Sequence, residues 1–387
     1  MTLDGQLLDR PGYSRGLLLH FAAEDFRRLR DETPTPDDVD AAIGYLRELL
    51  RGFPFVDLVA ESVAIAALIT AVLRPALPAA PGFAITATAP GTGKTHLARL
   101  VGMLATGREP GLMSWPGDEV EFRKQALAAL LAGEAVFAID NINGVLRSDT
   151  MCVLLTAPIY TQRLLGGNDA VSVPTRTLML ANGNNLTVAG DLVRRMLVCR
   201  LDAGVERPEL REFGFDPLAR MRDERPDVVR AVLAIVRAYL ASGDRMRLDP
   251  YAGYDEWSNL VRAPMTWAGL PDPVRAIEIA AELDPDRQAL EAMLVAVRDI
   301  VDRTEFDVPA LVQTARAHVL GDDAGNAQRA ALRLAIEEVA TRNGEINIRA
   351  LGRWLAAVEG RIALGMRFVR RRERTRVGAK WAIEAVV

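Results

Sequence analysis

The stretch FAITATAPGTGKTH, residues 83–96, decides how this chain is read. Phe83 to Ala87 is a short apolar run that predicts a buried strand, and a helical pattern resumes at Lys94. Between them lies Thr88-Ala89-Pro90-Gly91-Thr92-Gly93-Lys94-Thr95. Backbone N–H groups of such a turn can wrap a phosphate chain, and the helix N-terminus adds a favourable dipole. Lys94 then reaches the outer phosphates, and the Thr95 hydroxyl can ligate magnesium. The expected nucleotide contacts are Ala89, Pro90, Gly91, Thr92, Gly93, Lys94, Thr95 and His96, with ATP and Mg2+ as cofactors. Thr88 replaces the first glycine of the usual spacing, while Gly91 and Gly93 remain where backbone and phosphate must approach.

Working outward, Ala135-Val136-Phe137-Ala138-Ile139-Asp140-Asn141 reads as an apolar strand ending in a carboxylate. Beside the phosphate-loop strand, Asp140 can hold magnesium and its waters, so it joins Thr95 as an expected metal ligand. Asn141 stands where many ATPases of this design carry glutamate; asparagine orients water but cannot take its proton. Glu119 or Glu121 could supply the missing carboxylate, or could simply lie on a solvated helix face. The strand-like run Thr177 to Ala181 ends in Asn182-Gly183-Asn184-Asn185. Asn184, with Asn182 in reserve, is expected to sense a terminal phosphate or hold the attacking water. In Gly190-Asp191-Leu192-Val193-Arg194-Arg195, the paired arginines could stabilise transition-state charge on a neighbour's nucleotide.

A chain of 387 residues has room for two or three domains. Half its residues are hydrophobic and a quarter charged, an ordinary globular composition. Val63 to Leu73 is too short to cross a bilayer and reads as a buried helix. Two cysteines imply no disulfide framework, and the expected location is cytoplasmic. Thr35-Pro36-Asp37-Asp38 signals a helix start, with Val39, Ile43, Leu46 and Leu50 on one face. Apolar runs at Phe83 to Thr88, Gly111 to Trp115, Ala135 to Ile139 and Thr177 to Ala181 alternate with helical stretches and argue for a parallel sheet. Asp216 to Leu240 supplies two helical segments around Arg225-Pro226. Further helical patterns at Arg287 to Val301, Pro309 to Val319, Gln328 to Thr341 and Ile348 to Val358 precede strand-like runs Met366 to Arg370 and Lys380 to Ala385. Helices closed by a short hairpin outline a winged helix.

PGTGKT, AIDNI, RLLGG, ANGNNL and GDLVRR, in this order, resemble the helicase portion of phage and plasmid primase–helicases. That group sits among the AAA+ and superfamily-3-like ring ATPases. The resemblance runs from PFVDLVAESVAIAALITAVLRP upstream to Trp257–Trp267 downstream. It implies that Lys94 and Thr95 bind ATP and magnesium, that Asp140 is the Walker B carboxylate and Asn184 sensor one, and that Arg194 or Arg195 is an arginine finger. The implied α/β architecture is an N-terminal helical collar at 1–77, an AAA+ P-loop core with a parallel sheet at 78–206, a helical lid at 207–270 and a winged-helix domain at 271–387. Many members carry a primase domain as well; none is visible here, which implies a stand-alone helicase or a fragment of a longer chain.

The net charge of −4 would discourage nucleic-acid binding if it were spread evenly. From Arg361 to Val387, however, eight basic residues face two acidic ones, a net +6 that leaves −10 for the remainder. Arg370, Arg371, Arg372, Arg374, Arg376 and Lys380 surround the expected wing and can straddle a phosphate backbone without reading bases. Arg163, at the base of an expected pore hairpin over Arg163 to Val171, is a further DNA candidate. The expected protein is an ATP-driven DNA helicase or translocase for a mobile element, a homo-oligomer and by resemblance a hexameric ring, with DNA and possibly a primase as partners and no membrane. Two alternatives stand beside it: an ATP-gated replication initiator with slow turnover, and a protein-remodelling or helicase-loading ATPase.

Overall fold

The computed structural model describes residues 1–3, 12–14, 17–19, 33–164, 169–211, 214–251, 253–301, 305–320, 322–342, 344–375 and 378–386. Two units emerge, Met1–Ala281 and Glu282–Val387.

The first unit begins with a small antiparallel pair, β1 (Gly12–Ser14) and β2 (Leu17–Leu19). Helix α1 (Pro36–Leu50) starts where the sequence signals it. The Thr35 hydroxyl accepts the Asp38 N–H while the Asp38 carboxylate accepts that of Thr35, a reciprocal cap. Its buried face contains Val39, Ile43, Leu46 and Leu50, as the periodicity predicts. Helix α2 (Leu58–Leu73) is buried on every side from Ser62 through Ala71, which explains a sequence apolar all round.

Next come β3 (Gly82–Ala87), α3 (Lys94–Thr106), β4 (Leu112–Ser114), α4 (Glu119–Leu131), β5 (Val136–Leu146) and α5 (Asp149–Thr156). A hairpin of β6 (Ile159–Arg163) and β7 (Ala170–Pro174) precedes β8 (Leu178–Val188) and β9 (Met196–Leu201). The hairpin forms where a pore hairpin is expected, pairing Arg163 with Ala170; its tip at 165–168 lies outside the described residues.

Five strands make one parallel sheet in the order β4-β5-β8-β3-β9. In such sheets ligands gather at the carboxyl ends of the strands, and three of those ends are adjacent here. Ala87 of β3 pairs with Asn184 of β8, and Gly183 pairs with Ile142 of β5. Both β5 and β8 outrun their apolar segments, because pairing continues through polar residues across register breaks at Ile139/Ile142 and Asn143/Val145. β9, an apolar run of the right length, was not among the expected strands.

Helix α6 (Pro217–Ser242) is continuous through Pro226 but leaves helical geometry at Glu224, with φ −112° and ψ 15°. The two expected segments are thus the arms of one kinked helix. α7 (Asp255–Trp257), a π-helical turn at Ser258–Arg262, α8 (Ala263–Trp267) and α9 (Arg275–Glu282) complete this part. Trp257 is fully buried, and its indole N–H donates to the Thr70 hydroxyl of α2 at 2.9 Å. The helices at 36–73, expected as a collar, share one hydrophobic core with α3, α6 and the sheet. No helix among the described residues is long and apolar enough to cross a membrane.

The second unit comprises α10 (Pro285–Val301), β10 (Phe306–Asp307), α11 (Val308–Arg316), α12 (Asp323–Ala340), a minimal pair β11 (Thr341–Arg342) and β12 (Glu345–Ile346), α13 (Ile348–Val358), β13 (Met366–Thr375) and β14 (Gly378–Ala385). Its antiparallel sheet has the order β10-β14-β13. Phe306, Phe368 and Trp381 of that sheet pack with Leu332, Leu351 and Leu355 of the helices. The helical and strand-like patterns of this region all appear, and the unit begins at Glu282 where a boundary at 271 is expected.

At Gly183 β8 lies close against β5: a Cβ there would fall 1.8 Å from the Ile142 carbonyl oxygen. Gly183→Ala must therefore push β5 and β8 apart, at an expected cost of about 3 kcal/mol or more. Chemical denaturation monitored by circular dichroism should show that loss, and a wild-type midpoint would contradict it.

A candidate nucleotide site at the ends of three strands

β3 is buried at every position and delivers the 88–93 loop to the sheet edge. Gly91 (φ +76°) and Gly93 (φ +100°) adopt left-handed backbone, which accounts for glycine at both places. Gly93 also caps α3 without any side-chain hydrogen bond, so the first-turn amides receive no side-chain acceptor there. Lys94 is 7% exposed. Its amine donates to the Ala89 carbonyl at 3.0 Å and to the Thr92 hydroxyl at 3.2 Å, while Thr92 itself donates to Ala89 at 2.6 Å. The loop is thereby curled around a cation. Burial lowers the Lys94 pKa, and the Asp140 charge opposes that shift.

The Thr95 hydroxyl donates to Asp140 Oδ1 at 3.1 Å, joining α3 to the end of the β5 apolar run. A hydroxyl and a carboxylate side by side are hard oxygen donors suited to magnesium. That ion characteristically takes one or two carboxylates and completes its shell with water and phosphate oxygens. Among the described residues there is no group of three or more His, Cys, Asp or Glu able to hold a metal.

Asn141 has φ +59°, and its N–H donates to Asp140 Oδ1 at 2.9 Å. Asparagine is among the few non-glycine residues that adopt this conformation readily, so the backbone gives a reason for its presence. Asn182 is 2% exposed; its Oδ1 lies 3.5 Å from the Asn141 nitrogen, and its Nδ2 has no partner. The Oδ1 of Asn184 is likewise buried without one. Two amides within β8, just past its apolar run, thus hold unspent hydrogen-bonding capacity, and Asn182 lies beside the Asp140–Asn141 turn. The two carboxylates considered as substitutes for a base at 141 have other engagements. Glu119 accepts the Thr150 N–H at 2.6 Å at the start of α5, and Glu121 pairs with Lys124 at 3.0 Å.

A cavity of about 580 Å³ adjoins the loop. Gly91, Thr92, Gly93, Lys94, Thr95 and His96 form one side, and Gly52, Phe53, Glu209, Phe215, Asp216 and Pro217 close it. These closing residues were missed in the sequence, although the aromatic run RGFPF at 51–55 was a usable signal. Arg211 ties the two closing segments together by donating to the Gly52 carbonyl at 3.1 Å, and the Arg51 guanidinium lies 5.2 Å from the Phe215 ring centre. Glu209 packs so closely on Gly91 that a Cβ there would sit 2.8 Å from its own Cβ.

The chain matches, over residues 46–248, the model of a family described as the actinomycete integrative conjugative element replication protein. The chain belongs to this replication-protein family. The matched span includes the phosphate loop, Asp140, the β8 asparagines, Arg163 and both paired arginines. Among solved structures, the apo A form of the NrS-1 C-terminal region aligns over 93% of this chain and 78% of its own, at 13% identity and a TM-score of 0.39. No curated protein matches.

Within this replication protein, the arginines at 194 and 195 differ in setting. Arg194 is 63% exposed at its side chain and donates to Asp191 Oδ1 at 2.6 Å. Arg195 is only 15% exposed and bonds the Asp191 carbonyl at 2.8 Å as well as its carboxylate. The Arg195 carbonyl accepts the N–H of Gly82, at the amino end of β3. Both arginines therefore sit roughly 20 Å from the phosphate loop of their own chain, the length of a six-residue strand. Of the DNA candidates, Arg163 is exposed on β6. Arg370, Arg371 and Lys380 make ion pairs with Glu359, Glu384 and Glu305. Arg376 and the side chains of Arg372 and Arg374 lie outside the described residues.

Lys94→Ala removes the one cation inside the curled loop. It is expected to weaken binding of a fluorescent ATP analogue on the order of 100-fold, the equivalent of about 3 kcal/mol of charge-assisted hydrogen bonds. Titration of fluorescence anisotropy measures this, and an unchanged Kd would remove the loop from the nucleotide site.

Proposed function

We propose that this mobile-element replication protein is an ATP-hydrolysing motor that moves on DNA, working as a ring of identical subunits. The observation that carries the reading is the Thr95 to Asp140 hydrogen bond beside buried Lys94. It unites a phosphate loop, a metal-ligating hydroxyl and a carboxylate at one sheet edge. In phosphoryl transfer most of the catalytic work is charge neutralisation and alignment. Lys94 and the first-turn amides of α3 would hold the phosphates, and Thr95 with Asp140 would hold magnesium, which withdraws charge from the transferred group. Asn184, with Asn182 behind it, would orient water. Phe53 and Phe215 offer apolar surface in the adjoining cavity for a nucleobase.

The arginine geometry supports a ring. A group roughly 20 Å from its own phosphate loop is of use only to a neighbour, and Arg194 is the exposed member of the pair. Arg195, buried and bonded to Asp191, is suited to holding that turn in place. The hairpin of β6 and β7 is the candidate pore element, with Arg163 at its base. The second unit, with three helices, a β10-β14-β13 sheet and α13 before a basic hairpin, is read as a winged helix. A superfamily-3-like AAA+ assignment, six subunits and a primase partner belong to the same proposal.

One observation favours a second reading. Asn141 occupies a left-handed backbone position that suits asparagine, and both nearby glutamates are engaged elsewhere. A site without a general base turns over slowly, as an ATP-gated initiator would. Steady-state hydrolysis with and without single-stranded DNA separates the two: DNA-stimulated turnover supports the motor, and tight ATP binding with negligible turnover in both conditions supports the switch.

Subunit exchange tests the ring. Lys94→Ala and Arg194→Ala proteins are each expected to be inactive, and their mixture to regain hydrolysis because some interfaces pair an intact loop with an intact arginine. An arginine finger is worth on the order of 10³ in rate or more, so even partial recovery is measurable. Mixed rings with no recovery would rule out a trans role for Arg194. Arg195→Ala should instead lower the melting temperature, since it removes a largely buried partner of Asp191.

A further inference from the structure

The sheet of the second unit has two unlike faces. Register opposes Arg367 to Glu384, Val369 to Ala382 and Arg370 to Trp381. Side chains alternate along a strand, so Phe368 and Trp381 enter the core while Arg367, Arg371, Lys380 and Glu384 emerge together on the opposite side. Glu305, just ahead of β10, joins them.

Each described cation of this face ends on a carboxylate. Arg367 meets Glu384 at 3.1 Å, and Arg371 meets Glu384 at 3.0 Å and Glu305 at 3.5 Å. Lys380 meets Glu305 at 3.4 Å. These side chains are 34–41% exposed, so the pairs stand in water, where such contacts are weak and readily exchange one anion for another. Among the described side chains of this face three cations share two carboxylates, an excess of one positive charge, and the 361–387 segment carries a net +6. Arg367 was not among the sequence candidates, because only the register shows that it shares this face.

We propose that this face docks a nucleic-acid backbone, and that Glu305 and Glu384 occupy the phosphate positions until DNA displaces them. The inference rests on the reading of DNA as a partner. Glu384 gathers Arg367 and Arg371, and Glu305 gathers Arg371 and Lys380, so the cations are already placed when DNA arrives. The two glutamates also weaken the contact, because each phosphate gained costs an existing ion pair. None of these groups reads a base edge, so binding here is independent of sequence. A weak, pre-formed and sequence-blind contact suits a protein that must release one stretch of backbone and take the next.

The test uses the full chain and a fluorescein-labelled oligonucleotide, single-stranded and duplex, titrated by anisotropy across a salt series. Glu305→Gln with Glu384→Gln keeps the side-chain shapes and removes both competing charges. The double variant should bind on the order of tenfold tighter or more at low salt. Its logarithmic salt slope should steepen by about 1.8 on duplex and about 1.4 on single strands, from about 0.9 and 0.7 per phosphate neutralised. Arg367→Ala with Arg371→Ala and Lys380→Ala should weaken binding and flatten the slope. If wild type binds DNA but the glutamine variant matches it in affinity and slope, or binds more weakly, the proposal falls and the DNA reading survives. If neither protein binds DNA, both fall. A larger gain for polyglutamate than for DNA would replace the nucleic acid with an acidic protein partner and overturn the proposal.

Discussion

The register of β8 between β3 and β5 is the constraint on which the candidate nucleotide site depends. Hydrogen bonding sets Asn184 beside Ala87 and Gly183 beside Ile142, so the phosphate loop, the Asp140 turn and the β8 amides are brought to one edge without any of them choosing it. Parallel strands point their carboxyl ends the same way, and residues distant in sequence become neighbours. A slip of one residue would reverse the faces of the β8 side chains and withdraw both asparagines. Gly183 is the price of that closeness, since only a residue without Cβ lets the Ile142 carbonyl approach.

Charge is divided in a related way. The first unit keeps its key cations close: Lys94 inside its loop, Arg195 against Asp191, and Arg262 in a two-oxygen grip on Asp272. In the second unit Arg367, Arg370, Arg371 and Lys380 are partly exposed, each beside a carboxylate. Buried cations fix geometry because leaving a partner strands a desolvated charge, whereas exposed ones can change partners at little cost. The acidic remainder of the chain repels a polyanion at long range, which leaves attraction to local surfaces.

Much of this was legible in the sequence, and the exceptions have physical causes. The strand, turn and helix at 82–106 were readable because an apolar run, glycines at fixed spacing and a resuming helical pattern mark them. The α1 start was readable because Thr35 and Asp38 satisfy each other's backbone. The extensions of β5 and β8 were not, because Asn141, Asn184 and Asn185 carry no strand signal and pairing there is imposed by neighbours. The cavity walls at Phe53 and Phe215 were hidden for a similar reason: sequence separation conceals what Arg211 and the Gly52 carbonyl join. Asn141 was read as a change in chemistry, whereas its positive φ also gives it a backbone role.

Helix α2, buried from Ser62 through Ala71, also shapes the birth of the protein. Its Thr70 hydroxyl waits for the indole of Trp257, 187 residues further along the chain. At a synthesis rate of about 5–20 residues per second, the ribosome delivers that partner roughly 10–40 s after the helix. Through that interval α1, α3, the sheet and α6 can gather around the run from Ser62 to Ala71, but its enclosure is finished only when the segment around Trp257 arrives. A chain that stalls before Trp257 therefore leaves part of an apolar helix uncovered, so the helix that anchors the finished core is sealed by one of the later residues to be made.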